Sequence, residues 1–119
     1  MADKLKTKIL FVCSQNKLRS ATAEKIYEKV QHYDVRSAGT DKSARIRITP
    51  GHIGWADWIF VMEKRHLTLL RNKYRQEMQG RRIVCLNIPD DYDFMDRELV
   101  LLLKSLLSEY IDIPEDVDD

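Results

Sequence analysis

The stretch Lys8–Ser20, reading KILFVCSQNKLRS, limits what this chain can fold into more than any other. Ile9-Leu10-Phe11-Val12 is a short apolar run of β-branched and aromatic type that suits a buried strand, and a helical pattern takes over at Arg19-Ser20. Between them the chain must reverse within a few residues. A loop that curls from a strand into a helix N-terminus turns its backbone N–H groups inward, where they and the helix dipole favour negative charge. Cys13 closes the strand and Arg19 opens the helix, so a thiol and a planar guanidinium fork bracket one concavity. That is a site for a phosphate-like dianion with a thiol nucleophile at its floor. Taken alone, the pair would read as a buried strand cysteine and a solvated first-turn arginine; the flanking strand and helix decide for the oxyanion site.

Around this stretch the chain offers one domain, 1–119, with an ordered core over about 8–111 and flexible ends at 1–6 and 112–119. A hydrophobic content of 44% supports a real core, while a net charge of +1 gives no global argument for nucleic acid or a membrane surface. Cys13 and Cys85 are too few and too far apart for a disulfide framework or a zinc pattern. The apolar run after the Lys-rich start is too short for a signal peptide, and no segment is long enough to span a bilayer. A cytoplasmic protein without metal or cofactor is expected.

Beyond the loop, Ala23, Ile26, Tyr27 and Val30 fall on one helical face, opposite Glu24, Lys25, Glu28 and Lys29. Tyr33–Ala38 reads as a second strand. Lys42, Arg45 and Arg47 follow, and solvating a short loop explains them better than attracting an acidic substrate does. Thr49-Pro50 starts a short helix with Thr as cap and Pro at its first position, and this helix delivers a third strand, Trp58–Met62. His52 near its start is a surface or packing residue and stays outside the site. Glu63–Arg75 is a helix with Leu67, Leu70 and Tyr74 inward and a basic outer face, Gln76–Gly80 turns the chain, and Ile83–Ile88 is a fourth strand in which Cys85 is a small buried hydrophobe. Arg97–Tyr110 forms the last helix, burying Leu99, Leu102, Leu103, Leu106 and Tyr110. Strands alternating with helices predict an α/β fold, a four-stranded parallel sheet covered by helices, with the loop at the carboxyl ends of the strands.

Asp90, Asp91, Asp93 and Asp96 cluster in the loop before that helix, at a spacing that does not match a calcium loop. Expelling an alkoxide or phenolate from phosphorus needs one carboxylic acid to protonate the leaving oxygen, a contribution of about 10²–10⁴ in rate. Such an acid fits here.

Cys13-Ser14-Gln15-Asn16-Lys17-Leu18-Arg19-Ser20, with ILFV before it and a helix after it, resembles the signature loop of the low-molecular-weight protein tyrosine phosphatase family. Ser37-Ala38-Gly39-Thr40 is similar to that family's SAGT segment, Asp57–Met62 to its third strand, and Ile88-Pro89-Asp90-Asp91-Tyr92 to its acid loop; the likeness runs in order from about Lys8 to Ile111. The resemblance implies a cysteine-dependent phosphomonoester hydrolase, with Cys13 attacking phosphorus to form a phosphocysteine. Ser14, Gln15, Asn16, Lys17, Leu18, Arg19 and Ser20 would surround the phosphoryl group, and Arg19 would grip two of its oxygens. It further implies that Ser20 stabilises the thiolate, though a helix-capping role is an equal alternative. Asn16 would tie the loop into shape, and Ser37 would hydrogen-bond to Asn16. Asp90 takes the general-acid position, but the family follows that aspartate with proline where this chain has Asp91, so Asp91 remains a contender. Tyr92 and Phe94 would flank a phospho-aromatic substrate, with core packing as the alternative for each.

The chain departs from the family over Thr40–Ile48, where a long variable loop and helix are reduced to a few residues and the usual pocket wall has no counterpart. The expected partner is a phosphorylated protein carrying phosphotyrosine, or a small phosphomonoester. Phosphoserine phosphatases of the same fold share the C-S-x-N-x-x-R-S form of the loop. An arsenate reductase would need further exchanging cysteines, and a non-catalytic phosphate-binding module is the rival from another class.

Overall fold

A computed structural model describes residues 6–112 of the chain. The elements run β1 (Thr7–Cys13), α1 (Arg19–Tyr27), β2 (Tyr33–Gly39), α2 (Pro50–Trp55), β3 (Trp58–Val61), α3 (Lys64–Lys73), α4 (Arg75–Met78), β4 (Arg82–Cys85) and α5 (Arg97–Leu107). All the pairings are parallel and the strand order is β2-β1-β3-β4. The expected four-stranded parallel sheet covered by helices is therefore the fold.

β1 is central because its residues are apolar on both faces. Ile9, Phe11 and Cys13 face one core with Ala23, Ile26 and Tyr27 of α1 and Leu99, Leu103 and Leu107 of α5. Leu10 and Val12 face the other, with Ile53 of α2, Leu70 of α3 and Met78 of α4. An alternating strand buried on both faces becomes the middle of a three-layer sandwich. Because the strands are parallel, Cys13, Gly39 and Val61 all end at one edge of the sheet, and the connections that leave there build the site.

Boundaries differ from expectation at three places above all. The fourth strand ends at Cys85 and not at Ile88: Asn87 takes φ of 57°, a left-handed conformation that breaks the extended run, although Leu86 N–H and Ile88 N–H still donate to Val61 and Met62 carbonyls. Gln76–Gly80 is not all turn, since α4 occupies Arg75–Met78 and the reversal falls at Gly80, whose φ is 76°. The last helix closes at Leu107, earlier than Tyr110. Of the ends expected to be flexible, Asp112 is described and donates its backbone N–H to the Tyr33 hydroxyl at 2.6 Å; the stretches 1–5 and 113–119 lie outside the described residues. No helix among the described residues is long and apolar enough to cross a membrane.

Candidate active site

β1 delivers Cys13, almost fully buried, to the floor of a pocket of about 230 Å³ lined by Cys13, Ser14, Gln15, Lys17, Leu18, Arg19 and Asp90. The loop above it is held by its own side chains. Asn16 N–H points at Cys13 Sγ (3.3 Å), which the residue manages by adopting φ of 58°, a left-handed conformation that asparagine tolerates better than most residues. Asn16 Nδ2 donates to Ser20 Oγ (2.8 Å), and Ser20 Oγ stands 2.9 Å from Cys13 Sγ. With its oxygen accepting from Asn16, the Ser20 hydroxyl is free to donate its proton to a Cys13 thiolate. Ser20 makes no capping bond at α1, whose N-cap, Leu18, has no side-chain cap.

Arg19 is buried yet charged, a combination that demands partners. Its Nη1 donates to the Ile88 carbonyl (2.8 Å) and meets Glu63 Oε1 at 3.1 Å, while Nε lies 3.8 Å from Asp90 Oδ1. Anchoring through Nη1 leaves the Nε and Nη2 edge of the fork outside that anchor, and such an edge can bind two oxygens of a tetrahedral anion. Asp90, at the mouth, is about half exposed; Asp91 is exposed and is not part of the pocket lining. Tyr92 packs against the core, and Phe94 borders an adjoining cavity of about 450 Å³ that meets the pocket at Lys17. Neither aromatic lines the pocket.

The shortened segment after β2 fastens the loop from outside. Thr40 N–H donates to Cys13 O, Asp41 N–H to Ser14 O and Arg45 N–H to Gln15 O, at 2.9, 3.0 and 2.9 Å. Gln15 Nε2 returns a bond to Asp41 Oδ2 (2.6 Å), and Arg45 Nε donates to Asn16 O (2.9 Å). Arg45, read from sequence as one of three solvating cations, is thus a loop-fastening residue. The approach is so close that a Cβ on Gly39 would lie 2.5 Å from Ser14 O and 2.6 Å from Ala44 Cβ, which is why only glycine fits there. Ser37 corrects the sequence reading in another way. It lies beside Phe11 in the register and so faces α1, where its hydroxyl donates to Glu24 and not to Asn16. Asn16 Oδ1 is left buried without a hydrogen-bond partner among the described residues.

Two site residues were missed altogether. β3 is adjacent to β1, and the turn that leads from it into α3 brings Glu63 to Arg19 and His66 to the back of the loop. His66 is buried; its Nδ1 accepts from Glu63 N–H (3.0 Å) and its Nε2 lies 2.9 Å from Ser14 Oγ. Burial, reinforced by the cationic Arg19 and Arg65, lowers its pKa from 6.5 to about 4, so the ring is neutral near pH 7. Burial would raise the Glu63 carboxyl, but hydrogen bonds from Arg65 and Arg19 outweigh it and hold the group below the usual carboxylate range. The only sequence signal was Glu-x-x-His at the start of a helix that follows a strand.

A scan against protein-family models finds no match for this chain, and a search of curated proteins finds none. Solved structures do match. The tyrosine phosphatase Wzb from Escherichia coli K30, in complex with phosphate, is 19% identical with a TM-score of 0.71, over 89% of this chain and 96% of that one. SP-PTP, a low molecular weight protein tyrosine phosphatase from Streptococcus pyogenes, is 17% identical with a TM-score of 0.70, over 89% and 94%. YwlE arginine phosphatase from Geobacillus stearothermophilus is 19% identical with a TM-score of 0.63, over 91% and 99%. At these identities the likeness is one of architecture, and together with the strand order it gives the chain the fold of the low-molecular-weight protein tyrosine phosphatases.

Proposed function

We propose that this protein is a cysteine-dependent phosphomonoester hydrolase that works through a phosphocysteine. The observation that carries this reading is the pocket itself: Cys13 Sγ at its floor with a hydroxyl and a backbone N–H aimed at it, a buried guanidinium anchored by its far nitrogen, and a carboxyl group at the mouth. Cys13 thiolate attacks phosphorus, and the loop amides and the Nε and Nη2 edge of Arg19 hold the equatorial oxygens. As the phosphorus–oxygen bond breaks, Asp90 gives its proton to the leaving oxygen; the carboxylate then takes a proton from the water that attacks the S–P bond. Inorganic phosphate departs, and the Ser20 hydroxyl donates to the sulfur as it leaves. Asp90 is assigned this role over Asp91 because it lines the pocket.

A protein phosphotyrosine is the proposed substrate, in keeping with the names of two structural neighbours. A second reading, a non-aromatic phosphorylated side chain, is favoured by one observation: the pocket lining contains no aromatic residue. Hydrolysis of p-nitrophenyl phosphate without added metal tests the chemistry. Cys13→Ser is expected to abolish it and Arg19→Ala to lower it by about 10² or more, whereas a folded, reduced wild type that binds phosphate and turns nothing over would overturn the enzyme reading. Loss of the acid-dependent limb of the pH–rate profile in Asp91→Ala but not in Asp90→Ala would reassign the acid. Phosphotyrosine and phosphoserine peptides compared on one sequence separate the two substrate readings by kcat/KM.

A further inference from the structure

His66 belongs to no step of the reaction above, yet it is buried to 1% exposure directly behind the loop, and its two ring nitrogens have different, identifiable partners. Glu63 N–H can only donate, so Nδ1, 3.0 Å away, accepts and carries no proton. A neutral ring then has its proton on Nε2, which must donate to Ser14 Oγ. This fixes the direction of the next bond. With one lone pair of Ser14 Oγ taken by the imidazole N–H, the serine hydroxyl proton is left to give, no other protein acceptor pairs with it among the described residues, and Ser14 lines the pocket beside Cys13.

From this chain of donors we infer that His66 is a positioning residue that turns the Ser14 hydroxyl into a hydrogen-bond donor for a phosphoryl oxygen, adding a side-chain donor to the amides and guanidinium of the oxyanion cradle. The α3 turn thereby acts on the phosphoryl group twice, since Glu63 also anchors Arg19 through Nη1. No proton is transferred along the His66–Ser14 pair; it orients a dipole, and its effect falls on whatever oxyanion occupies the pocket. The inference rests on the hydrolase reading for its effect on turnover, but not for its effect on anion binding.

Three variants separate orientation from architecture. His66→Asn puts an amide oxygen where Nδ1 stood, keeping an acceptor for Glu63 N–H, and withdraws the donor from Ser14. His66→Gln puts an N–H near the place of Nε2 and restores it. Ser14→Ala removes the hydroxyl itself. Using orthovanadate as the oxyanion probe, His66→Asn and Ser14→Ala are each expected to bind about 3- to 10-fold more weakly than wild type, with kcat on p-nitrophenyl phosphate lowered by a similar factor. The double variant should lose no more than either single one, and His66→Gln should recover to within about twofold. Long-range ¹H–¹⁵N spectra of the wild type should report the Nε2–H tautomer of His66. An Nδ1–H tautomer, additive losses in the double variant, or wild-type vanadate binding by His66→Asn at an unchanged melting temperature would each overturn the inference. If the wild type hydrolyses nothing, the hydrolase reading fails, while the tautomer and the vanadate cycle still decide the role of His66.

Discussion

The starts of α2 and α3 are built alike and used differently. At α2, Thr49 N–H donates to His52 Nδ1 at 3.0 Å; at α3, Glu63 N–H donates to His66 Nδ1 at the same distance. In both turns a histidine three residues into the helix satisfies one backbone donor of the kind that helix N-termini leave over. The difference lies beyond the turn. His52 is half-buried and also meets the Thr49 hydroxyl, so its bonds stay within the cap, whereas His66 reaches across 52 positions to Ser14. α3 starts from the carboxyl end of β3, and β3 lies against β1, whose Val12 carbonyl accepts from Met62 N–H. The same local device becomes part of a site because of which strand delivers it.

Removing the two rings is the strongest way to break that comparison. His66→Ala loses the cap, a buried ring and the partner of Ser14 together, and should cost about 3 kcal/mol or more of stability. His52→Ala should cost about 1 kcal/mol, the loss of a cap alone. Urea unfolding of both variants measures the gap; equal losses would make α3 a cap and nothing further.

Acid sharpens the comparison next. The folded state holds His66 neutral down to about pH 4, while the unfolded chain takes up that proton near 6.5. Between those values the unfolded state binds more protons, so stability falls as pH falls. At about 1.4 kcal/mol per pH unit across that window, the expected loss is on the order of 3 kcal/mol between pH 7 and pH 4. The depressed Glu63 carboxyl works in the same direction at the acid end. His66→Gln, which does not titrate, should flatten the dependence, and an unfolding series that retains its full slope in that variant would place the titrating group elsewhere. His52 is also shifted down, by burial and then by Arg36, and His52→Gln should alter the slope less.

The smallest effect concerns the α2 cap alone. Thr49 Oγ1 accepts from His52 N–H at 3.3 Å, and Thr49→Ala should lower stability by about 1 kcal/mol while leaving p-nitrophenyl phosphate turnover as it was. A fall in turnover would mean that α2, too, is coupled to the pocket.

How far the site could be read from the sequence follows the range of each interaction. Cys13, Asn16 and Ser20 were legible because their contacts close within one strand–loop–helix unit: Asn16 to Ser20 spans four positions and Cys13 to Ser20 seven. Arg19 was legible from its place at the helix start, although its partners Ile88, Glu63 and Asp90 lie far along the chain. The parallel sheet was legible from alternating apolar runs and helical faces. Ser37 was assigned the wrong partner because the choice between Asn16 and Glu24 depends on which sheet face its side chain takes, and that is set by register against Phe11. Arg45 looked like one more solvated cation, since nothing in a short basic loop reveals that its guanidinium will find the Asn16 carbonyl. Glu63 and His66 were invisible for a deeper reason: they join the loop only because β1 and β3, far apart in the chain, are neighbours in the sheet. Strand adjacency is not written in local pattern.

The closeness at Gly39 bears on how portable this loop is. The eight residues Cys13–Ser20 lean on the backbone of Gly39–Arg45 through a contact with no room for one methyl group, so their shape is shared property of two crossings of the sheet. Grafted alone into another strand–loop–helix unit, the eight residues would carry the reactive groups but not the mould that sets them. The smallest piece with a claim to be transplanted would also have to bring the turn into α3, which meets Ser14 and Arg19, and Ile88, which anchors Arg19.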